Sequence, residues 1–194
     1  MTESLPNVIS KIFSVFDKKG DESYADEPVT QLEHALQTAN LATENNAPET
    51  VICAALLHDL GHILAGDQLP ASVGENLHDQ HEEKGYQFLK SHFGKAVAEP
   101  VRLHVAAKRY LCSTDSTYEV ALSPTSLKSY YDQGGRMSDH EVDDFEKNPY
   151  FKDAVQLRRW DDLAKEANKK VPLLQEYLPV LKKCILHDNE TSYG

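Results

Sequence analysis

Apolar residues recur along this chain at helical spacing almost from end to end, and no run of alternating, β-branched sequence predicts a strand. Leu5, Val8, Ile9, Ile12, Phe13 and Phe16 line one face of a first helix, which the turn sequence KKGDES ends. A second helix is predicted from about Val29 to Glu44, stopped by NNAP. Pro48 suits a helix start, and VICAALLHDLGH at 51–62 reads as one nearly all-apolar, buried helix. Residues 65–77, rich in Gly, Asp and Pro, read as a loop, and helices follow over 79–91 and about 96–111. SPTS at 123–126 is a start signal, with Ser123 as cap and Pro124 in the first turn. QGGR at 133–136 is a loop, and SDHE at 138–141 is a capping box that opens another helix. Segments 149–170 and 172–187 complete an all-α pattern. With no repeat or low-complexity linker, the 194 residues read as a single domain.

Bulk properties exclude several classes. No stretch approaches the ~20 apolar residues of a membrane span, and MTESLPNVISKIF lacks the basic head and small-residue cleavage site of a secretion signal. The three cysteines, Cys53, Cys112 and Cys184, have neither disulfide-framework nor zinc-ligand spacing. A reduced, cytoplasmic setting is expected. The net charge of −11 argues against a nucleic-acid partner, which needs clustered Lys and Arg. An anionic small substrate remains compatible if a few cations converge in a pocket.

The candidate chemistry lies where polar residues interrupt the apolar pattern. In AALLHDLGH at 54–62, an apolar ramp runs straight into His58 and Asp59, with His62 one turn after His58. Such a pair is costly to bury without a partner. Along the chain, the candidate ligands are His34, His58, Asp59, His81, His104 and one of the adjacent Asp161 and Asp162. His78 competes with His81, which is preferred because HEEKGYQFL continues a helix whose Gly85 permits close packing. Singly, each is an ordinary polar helix residue. Jointly they form a nitrogen- and oxygen-rich set suited to iron, manganese or zinc, and the lack of sulfur argues against copper(I) or an iron–sulfur cluster. An aspartate is a physically sensible bridge, because its two oxygens can each hold one cation.

The order H…HD…H…H…D resembles the HD-domain superfamily of metalloenzymes, whose usual activity is metal-dependent hydrolysis of a phosphate ester. Three longer segments pull away from that default: QLEHALQTA at 31–39, SPTSLKSYYDQGGRM at 123–137 and NPYFKDAVQLRRWDDLAK at 148–165. They resemble the PhnZ-like HD-domain mixed-valent diiron oxygenases of phosphonate breakdown, which are related by fold to myo-inositol oxygenase. The similarity runs from about Tyr24 to Lys165.

The resemblance implies an HD-type helical bundle around two iron ions, Fe(II) and Fe(III). His34, His58, Asp59 and Asp161 would hold one iron, Asp59 would bridge, and His81 and His104 would complete the second. Because the first Asp of RRWDD is the family's ligand, Asp161 is selected over Asp162. The implied substrate is (1-hydroxy-2-aminoethyl)phosphonate or a close analogue, cleaved with dioxygen at its carbon–phosphorus bond into phosphate and glycine, or the corresponding acid. Tyr24 would occupy an iron position until substrate displaces it, and Glu27 would engage the substrate amine. Ser126 and Gln133, on the family's SxxS…QGG motif, would donate further bonds.

Spacing adds the cations that a phosphonate needs in so acidic a chain. Lys108 follows His104 by four residues, Arg158 precedes Asp161 by three and His62 follows His58 by four, so each pair shares a helix face. An arginine can grip a phosphonate through two parallel hydrogen bonds. Two other readings stand beside this one. One is an HD phosphohydrolase acting on a nucleotide or other phosphate ester. The other is a helical regulatory domain with a degenerate HD motif, against which the intact ligand set counts.

Overall fold

The computed structural model describes residues 7–64 and 80–186. The expected loop at 65–77 and the competing His78 lie outside the described residues. Among those described, regular structure is helical throughout, with one isolated bridge between Ser23 and Thr30 and no strand. The helices are α1 (Asn7–Lys19), α2 (Gln31–Glu44), α3 (Glu49–Leu57), α4 (Leu60–Ile63), α5 (His81–Leu89), α6 (Lys95–Thr114), α7 (Tyr118–Ala121), α8 (Pro124–Asp132), α9 (Asp139–Glu146) and α10 (Phe151–Leu163). A 3₁₀ turn, Leu174–Tyr177, leads into α11 (Leu178–Cys184). None of these helices is long and apolar enough to cross a membrane.

Local sequence explains several of the boundaries. Thr30 caps α2: its hydroxyl accepts from the Glu33 N–H at 3.2 Å, while the Glu33 carboxylate accepts from the Thr30 N–H at 2.7 Å. Ser123 and Ser138 cap α8 and α9 as their motifs predict, Ser138 in a reciprocal pair with Glu141. Gly134 and Gly135 take φ of +104° and +62°, so the QGG loop uses backbone conformations that other residues rarely adopt. The short helix α7 has no counterpart in the sequence pattern.

The largest difference from expectation lies in the HD segment. The sequence predicts one helix through His62, but α3 ends at Leu57 and a new turn starts at Leu60. Asp59, with φ −101° and ψ 8°, sits in the bridge region between them. In an unbroken helix, neighbouring side chains point about 100° apart. The break lets His58 and Asp59 converge, with Nε2 and Oδ2 3.3 Å apart.

Helix α3 is the axis of the core. Val51 to Leu57 are all buried, and the helix packs against α2, α6, α10 and α11. That apolar sheath is what makes a buried polar cluster at its end possible. On α6, the buried stripe Val97, Val101, His104, Lys108 and Leu111 follows helical spacing, with its two polar members pointing inward beside apolar neighbours.

The turn α4 docks on the start of α5 through glycine. A Cβ added at Gly61 would lie 1.9 Å from the His81 carbonyl oxygen and 2.9 Å from the Gly85 nitrogen, both of them backbone atoms. Gly61→Ala should therefore cost about 2 kcal/mol or more through overpacking. For a chain of this size, that lowers the thermal midpoint by about 4–8 °C. An unchanged midpoint in a thermal unfolding scan would show that this contact does not hold α5 in place.

Candidate metal centre and anion pocket

Three parts of the chain deliver side chains to one buried point. His34 comes from α2, His58 and Asp59 from the break after α3, and Asp161 from the last turn of α10, all nearly or fully sealed from solvent. His34 Nε2 lies 3.2 Å from His58 Nε2, 3.5 Å from Asp59 Oδ2 and 3.3 Å from Asp161 Oδ1. On the other side of Asp59, Oδ1 lies 3.3 Å from His81 Nε2 and 3.4 Å from His104 Nε2, which are 3.1 Å from each other. The two oxygens of one carboxylate thus face two separate pairs of imidazoles.

The protonation pattern tells what this arrangement can hold. The Nδ1 atoms of His34, His58 and His104 contact the carbonyl oxygens of Ala164, Ala55 and Val101 at 2.9, 2.9 and 2.6 Å. A carbonyl can only accept, so each Nδ1 carries the proton and each Nε2 presents a lone pair. Lone pairs facing one another at these distances repel unless a cation lies among them. Among the described residues, neither oxygen of Asp59 has a hydrogen-bond donor, and Asp161 is answered by the Arg158 guanidinium alone, an arrangement tenable for buried carboxylates only beside positive charge. Burial opposes ionisation of Asp59, yet the surrounding imidazoles, His58 foremost, hold it well below the usual carboxylate range. Burial likewise opposes ionisation of Asp161, and Arg158 outweighs it. The carboxylates also lift His34 to about 9 against burial, so a proton and a metal ion compete for its lone pair. The trios His34, His58, Asp59 and Asp59, His62, His81 each have the geometry to hold a metal ion. This donor set is that of a metal centre rich in nitrogen and oxygen.

His62 behaves differently from the other histidines. Its ring stacks on His81 at 3.8 Å, its Nε2 is 3.9 Å from Asp59 Oδ1, and it is 42% exposed at the mouth of the site. Tyr24 stacks on His34 from the other side, with ring centroids 3.9 Å apart, and burial foremost, reinforced by Asp59, pushes its phenol well above its ordinary value.

Beside the cluster opens a cavity of about 470 Å³ whose lining includes Tyr24, Glu27, His62, Lys108, Ser126, Gln133, Arg158 and Lys165. Every sequence-predicted site residue in the described part of the chain therefore lines this space or the metal cluster next to it. Lys108 donates to Ser129 Oγ at 2.5 Å, and burial, helped by Arg158, lowers its pKa to about 8. Gln133 has a buried, unpaired side-chain oxygen. Two residues are more committed than spacing, for Arg158, or the family resemblance, for Glu27, suggested. Arg158 holds Asp161 at 2.8 Å and grips Asp162 through Nε and a second, short contact, leaving only its remaining N–H groups for a ligand. Glu27 accepts from Ser123 Oγ at 2.5 Å and lies 3.4 Å from Lys165 Nζ.

Two contributors, Lys165 and Tyr118, escaped the sequence reading, and Asp162, weighed there only as an alternative ligand, has a different role. Asp162 orients Arg158 and is itself held by a short hydrogen bond from Tyr118 on α7. Lys165 donates to Ser126 Oγ at 2.7 Å and lies 3.9 Å from Asp162 Oδ1. Its place four residues after Asp161 was a usable signal, the same register that picked out Lys108. Tyr118 gave none, because its contact spans 44 residues of chain.

Comparison with known proteins identifies the family. The HD domain family model matches residues 32–142, a span that takes in His34, His58, Asp59, His81 and His104 and stops short of Asp161. The chain is 49% identical over 181 residues to hydroxymethylphosphonate dioxygenase of Gimesia maris, covering 92% of this chain and 89% of that protein. It is 40% identical over 179 residues to the glycine-betaine-forming [1-hydroxy-2-(trimethylamino)ethyl]phosphonate dioxygenase of Leisingera caerulea, covering 92% and 91%. An uncharacterized protein of Acanthamoeba polyphaga mimivirus, L432, is 32% identical over 176 residues, 90% of this chain and 80% of that one. A buried histidine–aspartate cluster, an adjoining cationic cavity and this depth of identity lead to one conclusion: the chain belongs to the HD-domain phosphonate dioxygenases, and it is an oxidoreductase.

Proposed function

We propose that this enzyme uses a mixed-valent Fe(II)/Fe(III) pair and dioxygen to cleave the carbon–phosphorus bond of a small 1-hydroxyalkylphosphonate, within one functional domain and in the cytoplasm. The observation that carries the reading is Asp59, a buried carboxylate whose two oxygens face two imidazole pairs beside a cavity lined with cations. His34, His58, Asp59 and Asp161 would hold one iron, and His81 and His104 the second, with Asp59 bridging. Bound there, iron supplies the Lewis acidity and redox chemistry that the side chains themselves lack.

The chain's own residues bind and orient the substrate. Lys108 hydrogen-bonds to a neutral hydroxyl, which leaves its charge to a phosphonate, and Gln133 and Ser126 offer polar contacts next to it. Arg158 adds positive potential while remaining locked by Asp161 and Asp162. His62 stands at the mouth, and Tyr24 covers the His34 side until substrate displaces it. The reaction balances without an outside reductant. A hydroxyphosphonate plus one O₂ contains every atom of phosphate plus a carboxylic acid. That acid is glycine from (1-hydroxy-2-aminoethyl)phosphonate and formate from hydroxymethylphosphonate. The amino substrate is what the sequence resemblance implies. The second reading, hydroxymethylphosphonate, is favoured by Glu27, whose carboxylate is already engaged by Ser123 and Lys165. It is also the substrate in the name of the Gimesia maris relative.

Iron-loaded enzyme given either hydroxyphosphonate should consume oxygen and release phosphate and acid in equal amounts. Metal-dependent hydrolysis of phosphate esters without oxygen uptake would sink the oxygenase reading in favour of the phosphohydrolase. Asp59→Ala should retain at most one weakly held metal by elemental analysis, and two per chain would contradict the bridge. Lys108 carries its proton below its pKa of about 8 and loses it above, where the binding of a dianion weakens. The kcat/KM should then fall about tenfold per pH unit above 8, and Lys108→Arg should flatten that limb. A wild-type profile that stays level to about pH 9.5 would remove Lys108 from phosphonate binding.

A further inference from the structure

Glu27 and Lys165 meet on the cavity wall, from opposite ends of the motif-bearing chain. Their side chains are only 10% and 11% exposed, with Lys165 Nζ 3.4 Å from Glu27 Oε1. That same oxygen accepts from Ser123 Oγ at 2.5 Å. Lys165 is fixed in turn by Ser126 Oγ, which accepts from it at 2.7 Å. A pair this sheltered is little screened by salt or solvent. The carboxylate that the family resemblance assigns to a substrate amine therefore already has a cationic partner, supplied by the chain.

We propose that Lys165 is a specificity-determining residue: it occupies Glu27 and biases the cavity towards hydroxyphosphonates without a cationic substituent. The inference rests on the reading of this cavity as a hydroxyphosphonate site. An ammonium group arriving at Glu27 meets Lys165 within a few ångströms, a like-charge contact in a poorly solvated space. Moving Lys165 aside is unfavourable, because its other acidic neighbour, Asp162 at 3.9 Å, is already held by Arg158 and Tyr118. The competition is also unequal in entropy, since the lysine is tethered beside Glu27 and the ammonium has to be brought in. Lys108 contrasts with Lys165 here: its hydrogen bond goes to the neutral Ser129 hydroxyl, so it can serve the phosphonate end of any substrate in the class. The wall thus separates a cation for the shared phosphonate group from one that sets which substituent is accepted at C1.

The test measures binding of hydroxymethylphosphonate and (1-hydroxy-2-aminoethyl)phosphonate to iron-loaded protein, by calorimetry without oxygen, alongside steady-state turnover in air. Lys165→Met should shift the ratio of the two Kd values at least tenfold towards the aminated ligand. Glu27→Gln added to Lys165→Met should abolish the shift, and Lys165→Arg should keep the wild-type ratio. Lys165→Gln, which can still hydrogen-bond to Ser126, repeats the measurement should the methionine variant not fold. An unchanged ratio, or equal weakening of both ligands as expected of a second phosphonate cation, would overturn the proposal. Wild-type protein that turns over neither phosphonate would instead overturn the proposed function.

Discussion

The rest of this structure depends on one carboxylate placed where, among the described residues, no hydrogen-bond donor reaches it. Asp59 is 7% exposed, and both its oxygens lack a donor. Burying such a group is unfavourable by several kcal/mol unless positive charge answers it. The fold therefore has to bring cation-binding groups to both sides at once. It does so with four helices that share no local sequence, α2, α5, α6 and α10, converging on the end of a fifth. The apolar helix α3 supplies the sheath that keeps water out, and the interruption after Leu57 turns His58 and Asp59 towards a common point. Gly61 and Gly85 then allow α5 to approach closely enough for His81 to complete the second face.

That constraint also explains how an acidic chain can present an anion site. Net charge is a statement about the whole surface, whereas a cavity responds to the few groups that line it. Here the lining cations are sorted by what already holds them. Arg158 is committed to Asp161 and Asp162, Lys165 to Ser126 and Glu27, and Lys108 to a neutral hydroxyl. The arginine supplies fixed positive potential next to the metal cluster. The less committed lysine is the one that can follow a ligand, and its lowered pKa is the cost of waiting there without a carboxylate in its hydrogen bond.

Much of this was legible in the residues themselves. Periodicity gave the helices, because an apolar stripe has to be buried whatever lies across from it. Cap motifs at Ser123 and Ser138 gave their starts, because a side-chain oxygen reaching a free N–H is a contact within one turn. The i, i+3 and i, i+4 registers placed Lys108 and Arg158 beside His104 and Asp161 through spacing alone. What stayed hidden was long-range. Nothing near Tyr118 signals its hold on Asp162, and nothing in SYADE signals that Glu27 would meet Lys165.

The sequence by itself determined the helical class, the donor types of a nitrogen- and oxygen-rich metal centre, and the family whose long motifs surround them. Those properties follow from residue identity and from spacings of a few positions, where backbone geometry is nearly fixed. Only the tertiary structure decided that α3 breaks at Asp59, that the two oxygens of Asp59 face different imidazole pairs, and that Glu27 is already partnered. Each of these rests on groups from separate helices meeting in a space closed to water, where the distance between charges, rather than their order along the chain, sets the energy.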